Sequence, residues 1–322
     1  MSLTRLLLAF SFLGLCASAL LAAPGWEKTV SPDGAGDYKT VLEAVLAAPT
    51  GTPDSPTVIR VKPGTYTGRI YLQREKRFLR IIGEDAATTT IAFNLNASLP
   101  GEDGKPIGTF RTPTVVVDAD DFYAEGITFA NTAGPVGQAL AIRIDGDRVI
   151  FNKCRFLGWQ DTILTNRGRH LFRDCYIEGH VDFIFGAATA YFDRCHIHCL
   201  KSGYITAAST PQGQPHGYVF RDCRITTDAA AKTLTYLGRP WRIYAQTLFL
   251  NTEMDAGVRP EGWNNWGKSE AETTTFYAEF NSRGPGASPA TRVKWAKPLT
   301  AEQAAALTPA KVLAGQDGWK VE

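Results

Sequence analysis

Val149-Ile-Phe-Asn-Lys-Cys154-Arg-Phe156, His170-Leu-Phe-Arg-Asp-Cys175-Tyr-Ile177, Ala190-Tyr-Phe-Asp-Arg-Cys195-His-Ile197 and Tyr218-Val-Phe-Arg-Asp-Cys223-Arg-Ile225 are four versions of one pattern. A phenylalanine stands three residues before each cysteine, and an aromatic residue or isoleucine stands two after it. The register continues upstream through Phe122-Tyr-Ala-Glu-Gly-Ile127-Thr-Phe129 and downstream through Leu248-Phe-Leu-Asn-Thr252-Glu-Met254, with Ile127 and Thr252 in the cysteine slot. Successive slots are 27, 21, 20, 28 and 29 residues apart. A period of this length with alternating apolar positions marks a solenoid. Its β-branched and aromatic residues, punctuated by Asn and Asp, make the coils strands rather than helices. The expected fold is all-β: a single right-handed parallel β-helix.

The same register places two carboxylates. Asp161 follows Cys154 by seven residues, and Asp182 follows Cys175 by seven. The tetrads Asp161-Thr-Ile-Leu164 and Asp182-Phe-Ile-Phe185 continue in step. Equivalent positions on neighbouring coils lie about 4.8 Å apart. At an effective dielectric of about 20, like charges at that distance repel by roughly 3 to 4 kcal/mol. One carboxyl then keeps a proton while the other is an anion. A turn-capping Asp ladder, common in solenoids, would produce the same stacking.

The chain of 322 residues opens with Met1-Ser-Leu-Thr-Arg5 and an apolar run from Leu6 to Leu21, with small residues at Ala17, Ala19, Ala22 and Ala23. Residues 1–22 read as a secretory signal cut near Ala19 or Ala22, and 23–322 as one mature domain. No other stretch is long and apolar enough to span a bilayer. A net charge of +2 points away from nucleic acid and from a polybasic membrane surface. Five cysteines follow the signal, an odd number, so at least one thiol is free or pairs between molecules. Neighbouring slots fall within disulfide reach, which nominates Cys175 with Cys195; an unbonded inward stack is the alternative.

Helices are expected at the ends. Tyr38, Val41, Leu42, Val45 and Leu46 recur at helical spacing with Asp37 placed as N-cap, a lid for the first coil. Thr300-Ala-Glu-Gln303 is a capping box, and Thr308-Pro309 opens another short helix. Strands are expected over Thr57–Val61, Arg69–Leu72, Leu79–Ile82 and Thr114–Val117, with surface loops at Asn94–Arg111 and Pro285–Pro289.

Gly158-Trp159-Gln160 precedes the first aspartate. A carboxamide there can donate to a developing oxyanion without titrating, and Gln138, one coil upstream, can add a second donor. Leu237-Gly-Arg239-Pro-Trp241 offers a guanidinium to fix one aspartate and an indole to stack on a sugar ring. A structural ion pair for Arg239 and a packing role for Trp241 are the bland alternatives.

The blocks Gln138-Ala-Leu-Ala-Ile142, Gly158-Trp-Gln-Asp-Thr162, Val181-Asp-Phe-Ile-Phe-Gly186 and Leu237-Gly-Arg-Pro-Trp241 resemble, in order and spacing, the signature motifs of pectin methylesterases. Asp33-Gly-Ala-Gly-Asp37, Gly262-Trp263…Trp266, Tyr277-Ala-Glu-Phe280, Gly284-Pro-Gly286 and Arg292-Val-Lys-Trp295 extend the match, which runs from about Val30 to Trp319. The resemblance, to the bacterial secreted type of this carbohydrate-esterase family, implies hydrolysis of polygalacturonate methyl esters to pectate and methanol. It implies Asp182 as nucleophile, Asp161 as general acid and then base, Gln138 and Gln160 as oxyanion hole, and Arg239 holding Asp182. Trp241, Phe185, Val181 and Thr114 would line the sugar cleft. No metal or cofactor is implied, the partner is pectin, and a secreted monomer is expected. One motif departs: the family's Gly-x-Tyr-x-Glu reads Gly64-Thr-Tyr66-Thr-Gly68. A β-helical glycosidase, a calcium-dependent lyase and a glycan-binding scaffold are the competing readings. The flanking glutamines and the absence of a third in-register carboxylate weigh against the first two. A scaffold has no need to bring Gln160, Asp161, Asp182 and Arg239 together.

Overall fold

The computed structural model describes residues 25–229 and 234–321, so the leader expected at 1–22 and its cleavage site lie outside the described residues. Most coils lay down strands on three faces, and among the described residues every pairing between strands is parallel. Among the described residues the first face is an eleven-stranded sheet from Glu27–Val30 to Lys297–Pro298. Its middle holds the repeat: Tyr123–Glu125, Val149–Asn152, Arg169–Arg173, Thr189–Asp193, Tyr218–Arg221 and Gln246–Leu250. Phe151, Phe172, Phe192, Phe220 and Phe249 pair in register along it. Their rings stack at 5.0, 4.6, 4.3 and 4.5 Å. This is the expected parallel β-helix.

The spacing of the slots has a backbone cause. Lys153, Asp174, Arg194, Asp222 and Asn251 all have φ between 50° and 53°, and each immediately precedes a slot residue. A left-handed residue at this corner turns the chain off the first face, and Asp and Asn tolerate it better than most side chains. The slot residues then point inward: Ile127, Cys154, Cys175, Cys195, Cys223 and Thr252 are all buried.

The Cys175–Cys195 bridge does not form. All five described cysteines are free thiols. The Cys175 thiol donates to the carbonyls of Phe151 (3.5 Å) and Arg173 (3.3 Å), and that of Cys195 to Phe172 (3.4 Å) and Asp193 (3.6 Å). Successive side chains repeat one orientation, so each sulfur is directed to carbonyls rather than turned into a bond with its neighbour.

The second and third faces are joined. Tyr176–Gly186 and His196–Ala208 are long strands whose first halves pair on the second face and whose second halves pair on the third. Register shifts at Gly179/Val181 and Val181/Ile184 mark the bend between them. The loop Asn94–Arg111 leaves the coil at this same corner, between Thr89–Phe93 and Val115–Val117.

The N-terminal lid is Val41–Ala47, capped by Thr40 and not by Asp37. Thr40 and Glu43 form a reciprocal capping box, whereas Asp37 is engaged by Lys28 and by the Thr29 amide. The lid buries Val41, Ala44 and Val45, and leaves Leu42 and Leu46 exposed. At the other end, Ala301–Ala306 and Pro309–Val312 start at the expected caps. They cover Leu171, Tyr191 and Val219 on the outer side of the first face. Among the described residues no helix is long and apolar enough to cross a membrane.

Candidate active site

Ile163 pairs with Ile184 and Leu164 with Phe185, which sets Asp161 and Asp182 at equivalent positions on adjacent coils. The Asp161 amide donates to the Val181 carbonyl at 3.1 Å. Both aspartates sit at the corner between the second and third faces in left-handed backbone, with φ of 64° and 51°. Such residues cost conformational energy and cluster where side-chain placement is functional. Both are nearly buried, at 8 % and 6 % exposure, so their charges interact with little screening from solvent.

The two carboxyls are not equivalent. Arg239 grips Asp182 in a bidentate fork, Nε to Oδ1 at 2.9 Å and Nη2 to Oδ2 at 2.7 Å. No cation bonds Asp161 among the described residues. Burial pushes the Asp161 carboxyl well above the usual range, and the facing Asp182 charge pushes the same way, with Arg239 opposing more weakly. Burial also raises Asp182, but there the bonded guanidinium pulls back. Of the two, Asp161 is therefore the carboxyl that favours its proton, and Asp182, with its bonded cation, the one that favours ionisation.

Arg239 is itself clamped. Its guanidinium lies 3.9 Å from the Tyr204 ring centre and 3.7 Å from that of Trp266. Tyr204 stacks on Tyr236 at 5.3 Å, across adjacent coils. Lys268 lies 4.7 Å from the Trp266 ring centre and donates to the carbonyls of Pro240 (2.7 Å) and Trp241 (2.8 Å). Sequence reasoning assigned no role to Tyr204, Trp266 or Lys268. The signal available for Tyr204 was its position one coil beyond Val181; Trp266 was visible only as part of a motif.

Gln138 and Gln160 form a parallel bridge on adjacent coils, and both are half-buried. Among the described residues neither side-chain amide is engaged by another protein group. Leu140, Leu164, Phe185 and Ala207 form an apolar floor against which Trp241 and Trp266 pack. Trp241 lies 5.8 Å from Phe185, ring centre to ring centre. Val181 is half-buried beside Asp182. Thr114 does not join them: it is fully buried, and its hydroxyl donates to the Ala130 carbonyl at 2.8 Å. Its hydroxyl fastens one coil corner and cannot face a ligand.

The departing motif residue Gly68 precedes Ile70–Leu72, three coil steps along the third face from the coil of Asp161. Its φ of 149° is readily adopted only by glycine. A Cβ there would meet nothing within 4 Å, so the position borders open space.

The clamp leads to a prediction. Tyr204→Leu should lower kcat about tenfold with little change in KM, because one face of the guanidinium sandwich is lost. Tyr204→Phe should retain the rate. A fall in KM-linked binding alone, or equal loss in both variants, would remove Tyr204 from the positioning of Arg239.

Comparison with known proteins gives one answer. The family described as pectinesterase matches residues 27–316. Pectinesterase 31 of Arabidopsis thaliana is 42 % identical over 281 residues, covering 85 % of this chain and 88 % of that protein. The structure of pectin methylesterase from carrot aligns with a TM-score of 0.83 at 34 % identity, over 91 % of this chain and 94 % of the other. A pectin methylesterase solved in complex with a hexasaccharide aligns with a TM-score of 0.77 at 31 % identity, over 92 % and 99 %. The fold, the coverage and these identities agree, and the chain belongs to the pectinesterase family.

Proposed function

We propose that this enzyme, which removes methyl esters from pectin, does so by covalent catalysis at Asp182. The observation that carries the assignment is the asymmetric pair: one buried carboxylate gripped by a bidentate arginine, beside a second that has no bonded cation and that burial and its charged neighbour push well above the usual range. An Asp182 oxygen attacks the C6 ester carbonyl, and the amides of Gln138 and Gln160 donate to the oxyanion. Collapse breaks the bond to the methoxy oxygen, which takes the Asp161 proton and leaves as methanol. Asp161, now a carboxylate, accepts a proton from water as that water attacks the acyl-enzyme anhydride. Collapse breaks the bond between C6 and the Asp182 oxygen, regenerating the Asp182 carboxylate with Asp161 protonated again, and the sugar leaves as the carboxylic acid, which loses its proton to solvent. Trp241, Phe185 and Val181 supply the apolar surface on which the sugar rings rest.

The apolar start of the chain and the small residues around Ala19 and Ala22 support export of a mature domain over 23–322. We read that domain as a monomer in solution. The plant relatives at 42 % and 34 % identity lend no support to a bacterial affiliation.

The test is product analysis on one highly methylated pectin. Methanol without new reducing ends or unsaturated uronate is the expected result; either of the latter would support a glycosidase or a lyase. The ester carbonyl is already electrophilic, and two amides with one mobile proton can manage its developing charge. EDTA should therefore leave methanol release from a short methylated oligogalacturonide unchanged. Loss of activity restored by calcium would overturn the metal-free reading.

A further inference from the structure

On the outer side of the first face, away from the aspartate corner, lies a groove of about 630 Å³. The C-terminal helices cover Leu171, Tyr191 and Val219 on this side, with Ile150 packed at the edge of that cluster, but they leave the earlier coils carrying Arg80 and Tyr123 open. The chain end forms one wall. Asp317 Oδ2 accepts from Arg148 Nη1 at 2.9 Å and Arg169 Nη2 at 2.5 Å, and Trp319 lies 5.3 Å from the Arg169 guanidinium. The wall is thus fixed in place by charge-assisted bonds.

The lining is unbalanced in charge. Among the lining residues four are cations, Arg80, Arg148, Arg173 and Lys320, and one is a carboxylate, Asp121. Arg148 is taken up by Asp121, Asp147 and Asp317, which leaves Arg80, Arg173 and Lys320 as the cations facing the groove. Asp121 is already held by Arg77 and Arg148. Arg80 has no carboxylate partner among the described residues and rests over the Tyr123 ring at 5.7 Å. Arg173 reaches its carboxylate, Asp193, only at 3.6 Å, and Asp193 is bonded at 2.6 Å by Arg194. Arg80, Tyr123, Asn152 and Arg173 lie on four successive coils, Arg80 and Tyr123 in one register row and Asn152 and Arg173 in the row two residues along, where Glu125 is their partner on the Tyr123 coil and accepts from the Tyr123 hydroxyl. Three coil steps set the two arginines about 14 Å apart along the solenoid. Phe78, Tyr123 and Trp319 add flat apolar faces between the cations.

Aromatic faces interspersed with guanidinium forks suit a ligand with flat ring faces and repeated carboxylates. We propose that this groove is a second polysaccharide site, binding de-esterified polygalacturonate, the product of the enzyme's own reaction. Each ester removed adds a negative charge to the polymer, so affinity for the groove grows where the enzyme has already acted. The groove then tethers the enzyme to worked stretches while the aspartate corner on another face attacks fresh ester.

The experiment is affinity electrophoresis of the Asp182→Asn enzyme in gels containing polygalacturonate, dextran sulfate or neutral dextran, with the catalytic cleft saturated by a short methylated oligogalacturonide. Polygalacturonate should retard the protein, and Arg80→Glu with Arg173→Glu should weaken that retardation about tenfold or more. Trp319→Ala should also weaken it. The same arginine substitutions in the active enzyme should leave methanol release from the short oligogalacturonide within about twofold of the parent, since they lie outside the catalytic corner. That assay reports folding and catalysis separately from the groove. Retardation unaffected by the double charge reversal overturns the site. Equal retardation by dextran sulfate at matched charge reduces the groove to a non-specific polyanion patch and overturns the polyuronate assignment.

Discussion

Asp182→Asn is expected to abolish methanol release, by about 10⁴-fold or more, as removal of a covalent nucleophile does in other hydrolases. The amide keeps the volume and one acceptor for Arg239, but it cannot form the acyl-enzyme. The fold should survive. Asp182 is a buried charge whose desolvation opposes its ionisation, and the arginine fork offsets that cost. Substitution removes both the cost and half of the fork. Removing one partner of a buried ion pair outright costs about 3 to 5 kcal/mol. The retained Asn acceptor and the aromatic clamp of Tyr204 and Trp266 around Arg239 should hold the loss below that range. Methanol release, thermal unfolding and circular dichroism on one preparation separate the two effects. A variant that stays folded and retains activity within tenfold of the parent would show that another group attacks the ester.

The periodic part of this molecule was legible because its physics is local and repeated. A phenylalanine three residues before the slot recurs, and the structure shows why: the rings stack in register along the first face. The corner residue before each slot takes left-handed backbone, so the distance from corner to slot stays constant while loop lengths vary. That constancy carried the stacking of Asp161 over Asp182. Reach across coils was harder to read. Arg239 arrives at Asp182 from 57 residues away, and only the motif resemblance, not the repeat, brought them together. The clamp depends on Tyr204, Tyr236 and Trp266 from three segments, which spacing alone does not align. The misreadings were local competitions. Asp37 and Thr40 are both good caps, and Glu43 decided for Thr40 by completing the box. Cys175 and Cys195 occupy neighbouring slots, but proximity of Cα atoms does not orient sulfurs, and nearby carbonyls claimed the thiols. Thr114 lies on the cleft's face in sequence register, yet its hydroxyl is turned to a backbone carbonyl.

Asp161→Asn should lower methanol release about 10²- to 10⁴-fold, the usual contribution of a positioned proton donor, and it should also make the protein more stable above acidic pH. The two effects share a cause. In the folded chain the Asp161 carboxyl titrates well above its ordinary position because it is buried and faces Asp182. Between the ordinary carboxylate range and that raised value the native state binds more protons than the unfolded chain, so stability falls as pH rises through the window. Below the window both states are protonated and the group contributes no slope. Above it both are ionised, and the native state carries the full cost of a buried, repelled charge. An amide in its place never ionises, so the variant should lose that decline. Its advantage over the parent should be absent at low pH, grow through the window and then level off. Denaturant unfolding at a series of pH values reads this directly. The catalytic half has its own control: an ester whose alcohol is acidic enough to leave unprotonated should recover most of the first-turnover burst of alcohol in Asp161→Asn, whose deacylation still lacks its base, and none in Asp182→Asn. Equal loss on both esters would place Asp161 outside proton transfer to the leaving group. A parent and variant whose stabilities track each other at every pH would mean that Asp161 is not the carboxyl holding the proton.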